Sequence, residues 1–278
     1  SPASSRCWRR CGVRHRAGRC SQLDRTASHG RSRTRLGQRS PAGSLTAVHD
    51  AATHMPESIE VGAKLVAYLA VIMAVGCAGV SELVLHRADA AMVRSDAWTL
   101  FAPAAAALAV ATLVRAWAHT AAAFGVADSW TWENLRLIAL ESRWGEGWRL
   151  QALSTAMLAV AAVAIHVRRG AMGRPEPPVR FFASLAALAA AFAIPQTGHA
   201  AAEPYRWLLH GTHVAAAGLW AGTLVVMVSL RGQARPLRPQ LLHAFARLAA
   251  PAVAVVALSG VWASSLYLGR LGNLVASE

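Results

Sequence analysis

Six apolar runs, at about residues 62 to 85, 98 to 119, 149 to 167, 180 to 196, 206 to 230 and 247 to 268, leave this chain few ways to fold. A helix needs about 20 residues to cross a bilayer's hydrocarbon core. Hydrocarbon offers the backbone no hydrogen-bond partners, so each run must be a helix that satisfies its own N–H and C=O groups. Composition agrees: the chain is 55% hydrophobic and only 15% charged, against roughly 25% charged in soluble domains. The expected fold is all-α, a polytopic membrane helix bundle of about six transmembrane helices in contact with lipid. Alanine dominates several runs, and small side chains let helices approach closely. Pro103 and Pro251 are expected in the first turns of their helices, where a missing N–H costs least, and Pro195 is expected to end the fourth.

The net charge of +14 is unevenly placed. Residues 1 to 54 hold 11 Arg against Asp24 and Asp50, a net of +9, and the remainder has 17 basic and 12 acidic residues, a net of +5. Basic cytoplasmic loops account for +5, so no nucleic-acid partner is expected. Residues 1 to 54 are rich in Arg, Ser and Gly and lack apolar periodicity, which predicts a disordered arm with no core to bury. The first Met is Met55, immediately before the first apolar run. The expectation is that the protein starts there, and that residues 1 to 54 are upstream sequence outside the native coding region. Two rival readings are a transit-type presequence and a Cys-rich metal arm. Cys7, Cys11 and Cys20 lack the paired C-x-x-C spacing that a metal arm calls for. Cys77 reads as a small packing residue inside the first helix.

Loop charges predict orientation. The loop after the third run carries Arg168, Arg169, Arg174 and Arg180 against Glu176, and the loop after the fifth carries Arg231, Arg235, Arg238 and Arg247 with no acid. Both are expected to be cytoplasmic. The alternate connections then face outward. One of them, residues 124 to 148, holds Trp130, Trp132, Trp144 and Trp148 and is expected to form an interfacial helix.

This topology sorts the histidines by side. His86, His166 and His243 fall inside. His119 ends the second helix outside, His199 follows the fourth, and His210 and His213 enter the membrane on the fifth. Imidazole is the commonest metal ligand among side chains and is costly to leave unpaired in hydrocarbon. At a spacing of three, His210 and His213 share a helix face. Gly211, Gly218 and Gly222 beside them leave room for a neighbouring helix or a flat cofactor. The candidate metal ligands are therefore His199, His210, His213 and His119; imidazole suits copper, zinc, iron and nickel. The competing reading makes each an interfacial residue bonded to water or a carbonyl. Met73, Met157 and Met227 stand at no ligand spacing and read as core. Arg115, one turn before His119, is expected to meet lipid phosphate or an anionic group such as a haem propionate. Glu82 is expected to pair with Arg87 or His86, and Arg149 and Arg206 to contact headgroups. No phosphate loop, nucleophile elbow or H-E-x-x-H motif is present, which disfavours hydrolytic enzymes and leaves no catalytic residue to name.

The run Gly198-His199-Ala200, followed by Leu209-His210-x-x-His213-x-Ala-Ala-Ala-Gly-Leu-Trp220-x-Gly222, resembles the copper resistance D (CopD) family of bacterial inner-membrane proteins. So does Phe245-Ala-Arg247-Leu-Ala through Ser259-Gly260, with Ala246 and Ser259 where the family has Ser and Thr. The likeness is strong over residues 197 to 268 and rests mainly on hydropathy over 62 to 196. It implies a multi-pass copper-handling protein of the bacterial plasma membrane, a transporter and not an enzyme. Copper ion is the implied cofactor, taken up or resisted together with a periplasmic CopC-type copper-binding partner. His199, His210 and His213 match the family's histidine positions. The family's usual eight helices imply that residues 55 to 278 are a domain lacking its C-terminal part. The alternatives are a haem b-binding redox protein, since facing helices can supply axial histidines, and an assembly factor delivering copper to a respiratory oxidase. Intact-mass measurement of the natively expressed protein is expected to show a chain beginning at Met55; a species that keeps the Arg-rich arm overturns that expectation.

Overall fold

The structure is a computed structural model that describes residues 42–85, 96–172, 176–198, 204–230 and 238–268. The chain divides into two compact units, Ser1–Gly43 and Ser44–Glu278, and every membrane-spanning element belongs to the second. Every regular element among the described residues is helical. Helix α1 (Ala42–Gly79) runs on into a wider π turn at Val80–Val84. A tight turn at Trp98–Leu100 leads into α2 (Phe101–Phe124). Short α3 (Trp132–Arg136) and a π turn at Leu137–Glu141 precede α4 (Arg143–Met172). Helix α5 (Pro177–Ala193) closes in a 3-10 turn at Ile194–Thr197. Helices α6 (Pro204–Ala217) and α7 (Thr223–Ser229) join through a π turn at Gly218–Gly222, and α8 (Arg238–Leu268) follows.

Six stretches are long and apolar enough to cross a membrane: Met55–Val84, Trp98–Phe124, Arg143–Gly170, Pro177–Thr197, Tyr205–Ser229 and Pro239–Leu266. Each contains or overlaps one of the six runs in the sequence, so the protein is a multi-pass membrane protein of all-α architecture. Two boundaries move. Helix α1 begins at Ala42, ahead of the first apolar run. Helix α8 begins at Arg238, which places Pro251 in its interior and not in its first turn. The apolar run marked where hydrocarbon begins, and the helix extends beyond it.

Alanine sets the packing. Ala67, Ala74, Ala186 and Ala190 are fully buried beside Val71, Leu108 and Leu158, while Leu113, Val163, Phe181 and Leu258 point outward, as suits a lipid-facing surface. Helix α4 packs against α2 and α5, and α6 against α5 and α8. Helix α1 meets the α6–α7 pair at its glycines. A Cβ on Gly76 would strike the backbone of Gly222, and one on Gly222 the carbonyl of Ile72. This small-residue crossing takes up the space beside Gly222, and Phe192 fills that beside Gly211, so neighbouring helices occupy the room the sequence left open. Cys77 is buried next to this crossing, as a packing residue should be. Helix α8 is the outlier, with 11% of its apolar window buried against 39–44% in the other five. It is held along one face.

Charged groups cluster at the two ends of the bundle. At one end Glu82 pairs with Arg180 (3.5 Å), Arg169 with Asp96 (3.5 Å) and Arg168 with Glu176 (3.1 Å). The expected partners of Glu82, His86 and Arg87, lie outside the described residues, and among the described residues Glu82 meets Arg180. At the other end the Trp-rich connection forms α3, and Trp130 and Trp132 are 70% and 75% exposed, which fits an interfacial element. The Nη1 of Arg149 there donates to the carbonyls of Ala139 and Leu140 in the preceding π turn. Replacing Gly76 by Leu is expected to cost at least about 1–3 kcal/mol, because backbone and not a pliable side chain blocks the added atoms. The unfolding midpoint in detergent should drop, while Gly62→Leu, with nothing within 4 Å of its Cβ position, should leave it unchanged.

Candidate metal site

Antiparallel alternation brings the start of α1, the end of α2, the start of α4, the end of α5, the start of α6 and the end of α8 to the same end of the bundle. The polar residues there begin with Arg115. Its side chain is fully buried, and its Nη1 donates to Gln151 Oε1 on α4 (2.6 Å) while Nη2 donates to Thr197 Oγ1 at the end of α5 (2.7 Å). Gln151 Nε2 in turn donates to Thr112 Oγ1 (3.0 Å), and the Trp148 indole N–H to the Thr112 carbonyl (3.0 Å). The expected headgroup contact of Arg115 is therefore replaced by an interior network. A guanidinium buried this deeply must be hydrogen-bonded, and this one ties three helices together to achieve it.

His119 sits one turn beyond Arg115. Its Nδ1 lies 3.4 Å from Glu60 Oε2 on α1, and its ring stacks on Trp144 of α4, with centroids 4.1 Å apart and planes within 5°. An ionised carboxylate can only accept, so Glu60 favours a proton on Nδ1 and leaves the Nε2 lone pair of His119 free. His213 is oriented in the same sense by a different group. Its Nδ1 lies 2.9 Å from Ser259 Oγ on α8, whose single hydroxyl proton is already directed to the Val255 carbonyl at 2.5 Å. With its proton so directed Ser259 accepts from His213, an arrangement that favours the proton on Nδ1 and the lone pair on Nε2. Holding the far nitrogen of an imidazole through a hydrogen bond is how proteins orient histidine ligands to metals.

His210 stands one turn before His213 on the same face of α6. The helix start is anchored by Trp207, which donates its indole N–H to the Phe192 carbonyl (2.5 Å) and meets the Phe192 ring edge to face. Lys64, one turn after Glu60 on α1, lies beside Gly198 and within electrostatic reach of Glu60, Arg115 and His210. His199, the residue after Gly198, lies outside the described residues. The described histidines at this end thus form two parts, Glu60–His119 with Trp144 and His210–His213 with Ser259. Among the described residues, no group of three or more His, Cys, Asp or Glu converges closely enough to hold one ion. The chemistry available is imidazole nitrogen with one carboxylate, a donor set suited to copper or zinc. The glycines that a flat haem would need beside these histidines are packed against Phe192, Val75 and Ile72.

Sequence reasoning did not reach Glu60, Lys64 or Gln151. The signal for the first two was present, since a Glu and a Lys four residues apart at the mouth of an apolar run are a functional hypothesis by default.

A family model described as the N-terminal domain of copper resistance protein D-like proteins matches residues 55–207. The chain belongs to this family. The matched stretch carries Glu60, Lys64, Arg115, His119, Gln151 and Thr197, whereas His210 and His213 follow it. The protein is therefore a membrane protein of the copper resistance class. No curated protein and no solved structure matches it.

Substituting Gln151 by Leu would remove an acceptor from a buried charge. Unfolding in detergent is expected to be easier by about 1–3 kcal/mol, and a change below about 0.5 kcal/mol would refute the central role of this contact.

Proposed function

We propose that the protein is a copper transporter of the bacterial plasma membrane that captures copper at the histidine end of the bundle. That end faces outward in this reading, because the opposite end carries the basic loops that favour the cytoplasm. The observation that carries the proposal is the shared orientation of His119 and His213, each with its Nδ1 held by a neighbour and its Nε2 lone pair free. His210, on the same face as His213, and His199, next to Gly198, complete the ligand supply. Copper is cargo here, received from a periplasmic CopC-type copper-binding protein and passed inward for uptake or resistance. The chain's own work is binding and passage and not catalysis. The packing around Gly211, Gly218 and Gly222 favours this over the haem reading.

Copper titration of the purified full chain tests it. The double variant His210→Ala/His213→Ala is expected to lose high-affinity binding. Ser259→Ala, which frees the tautomer of His213, should weaken binding about 10–100-fold, the usual effect of removing a group that orients a ligand. Ser259→Thr keeps the hydroxyl and should bind as the parent does. Copper binding indifferent to all of these changes, or a Soret band in the protein as isolated, would sink the proposal.

A further inference from the structure

Residues between 113 and 148 enclose a cavity of about 540 Å³ at the histidine end, all of it within the stretch 96–172 that the structure describes without a break. Sites for small molecules span about 300–1,000 Å³. Leu113 and Trp117 of α2 and Trp148 of α4 line two sides, and the interfacial segment adds a third through Leu135 and Leu140. Trp130 lines it as well and stacks on Trp117, with centroids 6.1 Å apart. Every lining residue is apolar or aromatic except Arg136. The indole N–H of Trp117 is buried and has no acceptor among the described residues, although buried donors are normally satisfied.

The charge beside the cavity comes as a pair. Arg136 Nη2 lies 3.1 Å from Glu141 Oε1, with the two side chains 59% and 48% exposed. An ion pair so open to solvent is weak and exchanges partners readily. An apolar cavity at headgroup depth, with one cation and one anion beside it, matches a molecule with an acyl chain and a zwitterionic head. We infer that the cavity holds one acyl chain of an aminophospholipid, whose phosphate binds Arg136 and whose ammonium donates to Glu141. The lipid's ester carbonyls are acceptors of the kind that the Trp117 N–H lacks. An anionic lipid would meet Arg136 but be repelled by Glu141, and a wholly apolar occupant would leave both charges unused. Trp148 shares this wall with the Arg115 network, since its indole N–H donates to the Thr112 carbonyl and Gln151 to the Thr112 hydroxyl. A chain packed on Trp148 therefore braces that network. Neither the lipid nor its test involves copper, so the inference stands apart from the transport reading.

The test uses the full chain in detergent, stripped of lipid and then supplied with phosphatidylethanolamine, phosphatidylcholine or phosphatidylglycerol. Native mass spectrometry is expected to show one phosphatidylethanolamine held per chain, about tenfold tighter than the other two, the scale of one charge-assisted hydrogen bond. Phosphatidylethanolamine should also raise the unfolding midpoint most. Glu141→Gln should erase the preference while a phospholipid still binds, and Arg136→Gln should weaken all three lipids. Both residues are exposed, so these variants are expected to fold. Ala139→Phe, which fills the cavity, should displace the lipid. Equal binding of the three lipids by the parent chain overturns the inference, whether or not any variant folds. So does a preference for phosphatidylglycerol, or a preference for phosphatidylethanolamine that survives undiminished in Glu141→Gln. An isoprenoid quinone found at one per chain in the extracted protein also overturns it.

Discussion

A guanidinium without access to water holds the histidine end of this bundle together. Burying Arg115 would be prohibitive without hydrogen bonds, and its Nη1 and Nη2 are held by Gln151 on α4 and Thr197 at the end of α5. These two bonds fix how far α2, α4 and the α5 terminus can stand apart. They also set the neighbouring parts: His119 one turn along α2 arrives beside Glu60 and Trp144, and the chain leaving Thr197 carries Gly198 to Lys64. In lipid, where apolar side chains gain little by choosing one another over acyl chains, such polar contacts and close small-residue crossings define the arrangement of helices. The Gly76–Gly222 crossing has the complementary role, fixing α1 against the α6–α7 pair.

The histidines gain their chemical character from partners on other helices. Imidazole alone is indifferent between its two tautomers. A carboxylate from α1 and a hydroxyl from α8 remove that freedom for His119 and His213. The hydroxyl of Ser259 is the group that His213 meets on α8. Helix α8, otherwise loosely held, contributes that group to the candidate site.

Much of the fold was legible in hydropathy, because the period of the problem is the thickness of the bilayer. Six runs of adequate length gave six spanning helices, and the Trp-dense connection gave an interfacial one. The misses share a cause. The first unbroken apolar stretch starts at residue 62 and leaves Glu60 outside it, and the sixth starts at residue 247, near Pro251, although its helix begins at Arg238. Partners distant in sequence leave no local trace: Arg180, 98 positions from Glu82, is the partner that packing supplies among the described residues. Arg115 was sent to the headgroups for want of a visible partner, since nothing in a linear string marks Gln151 and Thr197 as its acceptors.

The sequence by itself determined the fold class, the alternation of helix direction and hence which histidines share a depth, since these follow from length, hydropathy and loop charge alone. Only the tertiary structure decided which neighbours His119 and His213 meet through Nδ1 and that Arg115 is an interior strut. It alone showed that Glu60 of α1 stands within electrostatic reach of both Lys64 and Arg115. Those properties depend on hydrogen bonds between residues 36 to 82 positions apart, and their directions exist only once the helices have packed.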